Sequence, residues 1–142
     1  MYVADSNVVI SCLLSGGVPY RVFFLNYLLE KHVFIAPEFL WVEVDKHRDE
    51  LSEETKLSPK EFEDIITFLK EEITVIPAMQ FLDMLPVAKE ILSAHQKDSM
   101  YLALALKTDS KIMTGDGKFR KLCPEKIITP RQVLDELLPE KG

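Results

Sequence analysis

A chain of 142 residues, 47% hydrophobic and 28% charged, carries enough apolar material for one packed core, and residues 1 to 142 read as a single domain. Its 23 acidic residues against 17 basic ones give a net charge of -6, which excludes broad electrostatic attraction to a polyanion. Any role with nucleic acid must draw its positive field from metal ions or a local basic rim.

No apolar run approaches the roughly 18 residues of a membrane span, and no basic stretch precedes an apolar run at the start. Cys12 and Cys123 follow no paired ligand spacing. A cytoplasmic chain with two reduced thiols and no membrane partner is the expectation.

Strand and helix alternate along the chain. Tyr2-Val3-Ala4 reads as a first strand ending at Asp5, and a short apolar segment runs to Leu14 before the Gly16-Gly17 break. Pro19 fits the first turn of a helix to about Lys31, with Val22, Leu25 or Asn26, and Leu29 on one face. Val33 to Ala36 is the continuous apolar run of a strand covered on both faces. After Pro37 the spacing predicts one helix to about Leu51, then a loop from Ser52 to Lys56.

Ser58-Pro59-Lys60-Glu61 opens the next helix with a capping box, and Phe62, Ile65, Ile66 and Leu69 form its stripe. Thr74 to Ile76 is a strand, a helix follows from about Pro86 to His95, and Gln96-Lys97 reads as a tight connection. Asp98 then opens a helix, Met100 to Leu106, that is apolar almost all round and therefore expected to be buried. Lys111 to Thr114 and Ile127-Ile128 are strands, and Thr129 caps a closing helix from Pro130 through Leu138. Parallel strands with intervening helices give a three-layer α/β/α sandwich around a central, mostly parallel sheet.

Four carboxylates stand out in that arrangement: Asp5, Glu43, Asp98 and Asp116. Asp5 and Asp116 follow the first strand and the Lys111 strand, at the sheet edge where open α/β proteins place ligands. Carboxylates gathered in one cleft repel one another unless a cation neutralises them, and oxygen donors suit Mg²⁺ or Mn²⁺. Each residue also has an ordinary role: Asp5 as a turn former, Glu43 as a solvated helix residue, Asp98 as an N-cap, Asp116 in a glycine-flanked surface turn. Glu43 and His47 lie one helical turn apart, but one glutamate and one histidine do not make a zinc site and read better as a surface pair. Lys118, Arg120 and Lys121 form a small basic cluster that would meet phosphates at the rim or serve only as a solvated face.

The stretches Val3 to Ile10, Glu43, Asp98 to Leu106 and Ile112-Met113-Thr114-Gly115-Asp116 resemble the PIN domains, over roughly residues 2 to 138. The resemblance implies a metal-dependent endoribonuclease acting on RNA with Mg²⁺ or Mn²⁺. Asp5, Glu43, Asp98 and Asp116 match the family's acidic quartet, and Asn7 and Thr114 its polar supporting positions. One departure is His95, where many members carry a further aspartate. Because the family includes toxins of prokaryotic toxin–antitoxin pairs and often dimerises, an antitoxin partner and a homodimer are further expectations.

Two other readings compete. A non-catalytic RNA-binding or protein-interaction module on the same fold suits the acidic net charge. A haloacid-dehalogenase-like phosphatase requires a second aspartate two residues after the first, where this chain has Asn7.

Overall fold

A computed structural model describes residues 1–93 and 96–139. Strand β1 (Tyr2–Ala4) lies in the middle of a five-stranded sheet ordered β3-β2-β1-β4-β5, with β2 at Phe34–Pro37, β3 at Ile73–Ile76, β4 at Lys111–Met113 and β5 at Ile127–Ile128. Every pairing is parallel, so the sheet is more uniform than the mostly parallel one expected. Val3 pairs with Ile35 on one side and Ile112 on the other. Side chains alternate across a strand, so Ala4, Phe34, Ala36 and Met113 enter one apolar cluster while Val3, Ile35 and Ile112 enter a second.

The first cluster is covered by α1 (Ser6–Ser15), α2 (Gly17–Leu29), α3 (Leu40–Lys46), α4 (Arg48–Glu54) and α5 (Pro59–Glu72). The second is covered by α6 (Leu85–Leu92), α7 (Gln96–Thr108) and α8 (Gly117–Leu122), and α9 (Pro130–Leu137) returns to the first layer. This is the three-layer sandwich. The chain steps outward from β1 through β2 to β3, then crosses through the second layer to β4 on the other flank of β1. The strand order therefore reverses at the carboxyl ends of β1 and β4, the edge where open α/β sheets take their ligands.

Several expected boundaries shift for local reasons. Helix α2 starts at Gly17, with Gly16 at φ 78° making the turn out of α1, and ends at Glu30 in the left-handed region. Its buried face is Val22, Phe23 and Asn26, while Leu29 is half exposed. The single helix expected up to Leu51 breaks at His47, whose amide bonds back three residues to Val44; the new direction turns Leu51 into the core. Ser52 to Glu54 belong to α4, and the loop begins at Thr55, whose hydroxyl donates to the Leu13 carbonyl. Helix α7 begins at Gln96, so Gln96-Lys97 is its first turn and not a connection. The capping boxes at Ser58–Glu61 and Thr129–Gln132 are both formed.

Both cysteines are buried free thiols. Among the described residues no single helix is long and apolar enough to cross a membrane; α1 and α2 together have the length but are bent by 101° against each other.

Asn26 fixes the entry to the sheet. It is 6% exposed, its amide nitrogen donates to the His32 carbonyl at 2.8 Å, and its Oδ1 accepts from the His32 amide at 2.8 Å. Truncation would strand two backbone groups. Asn26→Ala is expected to lower the unfolding free energy by about 2 kcal/mol in urea titrations.

Candidate active site

The ends of β1 and β4 are joined by side chains as well as by the sheet. Beyond the last ladder pair, Ala4 with Met113, the Asp5 amide donates to the Met113 carbonyl at 3.1 Å and the Thr114 amide to Ile128 at 3.0 Å. Asp5 and Thr114 thus emerge side by side, 3% and 1% exposed. The Thr114 hydroxyl donates to Asp5 Oδ2 at 2.7 Å. With its one proton committed there, the same oxygen accepts from Asn7 Nδ2 at 3.1 Å and from the Asp116 amide at 3.0 Å. One hydroxyl ties together Asp5, Asn7 and the turn that carries Asp116.

Asp5 occupies the N-cap position of α1 with extended backbone, yet its side chain makes no capping bond there. The turn-former reading does not account for where this carboxylate sits. Burial pushes its pKa up to about 6; the Thr114 bond opposes the rise, the charge of Asp98 adds to it, the Ser6 amide opposes it, and the charge of Asp116 adds the least. Asp5, Asp98 and Asp116 are therefore within electrostatic reach of one another.

Asp98 lies in the first turn of α7, two residues inside the helix start. It therefore does not hold the cap position expected for it; residues 94 and 95, with the His95 departure, lie outside the described residues. Asp116 keeps its ordinary role as well: it is the N-cap of α8, and its Oδ1 accepts from the Lys118 amide at 2.9 Å. Lys118, Arg120 and Lys121 are all exposed on α8, so the basic cluster begins immediately beyond the acidic edge.

Glu43 approaches from the first layer, half-buried in the first turn of α3. It does not turn to His47, which pairs at the surface with Glu50 at 3.6 Å. Its Oε1 accepts from the Tyr101 hydroxyl at 3.1 Å. Tyr101 belongs to α7 in the second layer, so this bond spans the sheet edge. Sequence reasoning missed Tyr101, although a signal was present: a lone phenol in an otherwise apolar buried helix must find a partner for its hydroxyl, and it stands one turn after Asp98. Ser6, whose hydroxyl lies near that of Tyr101, was missed too.

Every acidic group of the cleft offers oxygen, the donor set of a hard cation. Among the described residues, however, no three carboxylate, imidazole or thiolate groups stand close enough to hold one ion between them.

A family model for the PIN domain matches residues 3–136, spanning β1 through nearly all of α9. A comparison with curated proteins gives no match.

The raised pKa of Asp5 has a signed consequence for the cation-free protein. Below pH 3.8 the residue is protonated in both folded and unfolded chains and contributes nothing. Between 3.8 and about 6 the unfolded chain ionises first, so stability falls as pH rises, and above about 6 the full penalty is present. Asp5→Asn is expected to remove that slope and to raise the unfolding free energy at pH 7.5 by about 3 kcal/mol, read from urea titrations in chelator at both ends of the range.

Proposed function

The chain belongs to the PIN-domain family, whose members are generally nucleases, and from that premise we propose that it is a metal-dependent endoribonuclease hydrolysing RNA phosphodiesters at the carboxyl edge of its sheet. One observation carries the reading: Asp5 is buried at the strand-order reversal with the charges of Asp98 and Asp116 bearing on it. A carboxylate so placed is destabilised unless a cation shares the cleft.

The residues present fit a hydrated Mg²⁺ or Mn²⁺. Magnesium keeps several waters and takes only one or two carboxylates directly, so three acids in immediate contact are not required. Asp5, Asp98 and Asp116 would hold the ion, with Glu43 on the facing wall. Bound there, a divalent ion supplies charge neutralisation at a phosphate and a more acidic water.

The chain's own groups do the rest. Thr114 directs the Asp5 carboxylate and stabilises its ionised form through the 2.7 Å bond, and Asn7 fixes Thr114 in turn. Lys118, Arg120 and Lys121 offer exposed cations to RNA phosphates on the helix that Asp116 caps, which gives an otherwise acidic protein a local positive rim. If the chain is the toxin of a toxin–antitoxin pair, an inhibitory antitoxin would reach the same cleft with a basic side chain.

The lack, among the described residues, of a tight group of three metal-binding side chains favours one competing reading, a non-catalytic module that binds RNA or protein. That module would bind without turnover.

The deciding experiment incubates the chain and Asp5→Asn with single-stranded and structured RNAs in Mn²⁺, Mg²⁺ or chelator. Cleavage is expected only with metal, and is expected to fall by on the order of a hundredfold or more in the variant. Cleavage by Asp5→Asn at the unmodified rate would overturn the assignment.

A further inference from the structure

Tyr101 is 1% exposed, and its ring packs edge-on to Phe39 with centroids 5.4 Å apart. Its hydroxyl nevertheless ends among the polar groups of the cleft, bonding Glu43 from α3, with Ser6 of α1 nearby. A carboxylate only accepts, so the phenol gives its proton to Glu43.

Such a partner helps to order Glu43. It projects from a helix of seven residues, and an unrestrained glutamate loses up to about 2 kcal/mol of rotamer freedom when it is fixed in one direction. Tyr101 is already immobile, so the ordering is built into α7 before any ligand arrives. Such outer partners of metal-binding side chains orient them and commonly govern affinity.

We propose that Tyr101 is a positioning residue of this site: its hydroxyl aims the Glu43 carboxylate into the cleft toward a divalent cation. The inference rests on the nuclease reading above and adds to it a residue that acts only through Glu43.

The test is Mn²⁺ affinity measured calorimetrically without RNA on the full chain, Tyr101→Phe, Glu43→Gln and the double variant, with RNA cleavage by the unmodified chain run alongside. Phenylalanine keeps the ring and the Phe39 contact. Tyr101→Phe is expected to weaken Mn²⁺ binding about tenfold, and to add almost no loss in the Glu43→Gln background. Equal losses in both backgrounds would mean that Tyr101 acts by packing and would overturn the proposal, as would unchanged affinity in Tyr101→Phe. Either result beside metal-dependent cleavage by the unmodified chain leaves the nuclease reading standing; an unmodified chain that shows neither Mn²⁺ binding nor metal-dependent cleavage removes both. Should Tyr101→Phe fail to fold, Ser6→Ala leaves the ring in place, and a smaller weakening that again disappears in the Glu43→Gln background is the expected result.

Discussion

A carboxylate buried at the end of a central strand has almost no water to stabilise its charge, and in this protein the Thr114 hydroxyl takes that part at 2.7 Å. The bond forms because β1 and β4 are neighbours in register, so that the first residues beyond the ladder face each other. The same oxygen accepts from Asn7 at the start of α1 and from the backbone of Asp116, which in turn caps α8. The acidic edge and the basic helix beside it therefore share one anchor. A hydroxyl can do this because it donates once and accepts twice, a combination that neither an amide nor an ammonium offers.

The architecture also sets local stability against the demands of the cleft. Sheet topology sends α1 and α7 to opposite layers, yet both start near the carboxyl ends of β1 and β4, which brings Asp5 and Asp98 together without either layer making room for a cavity. Like charges held in a poorly hydrated crevice weaken the fold that holds them, and the two packed layers offset that cost. The apolar clusters are extensive because the central strands β1, β2 and β4, although only three or four residues long, are covered on both faces, while the edge strand β3 leaves Thr74 and Val75 exposed.

Much of this was legible in the residues. Short apolar runs at 2–4, 111–113 and 127–128 bounded by polar or glycine residues read as buried strands, and Ser58-Pro59-Lys60-Glu61 announced its capping box, because those signals are local. What escaped depended on contacts distant in sequence. The break at His47 serves the burial of Leu51, which no window of ten residues displays. The face of α2 is turned by the bond pair between Asn26 and His32, and Leu29 and its neighbours remain outside. Asp5, Asn7 and Thr114 were singled out, but the hydroxyl that joins them belongs to pairing across more than a hundred residues. Tyr101 was hidden by its own helix, where a phenol passes for one more large core residue until its hydroxyl is followed to Glu43.

The central place of β1 has a consequence for the order in which the protein acquires its chemistry. Of the five strands β1 is made before the others, and it is flanked on one side by β4, whose residues are synthesised more than a hundred positions later. Until residues 111–116 have left the ribosome, Asp5 lacks both the strand beside it and the Thr114 hydroxyl, and a nascent chain can complete only the β1–β2–β3 half of its sheet. Maturation of the cleft is thus tied to the synthesis of β4, and a polypeptide that stops short of it displays Asp5 without the surroundings that give it a role.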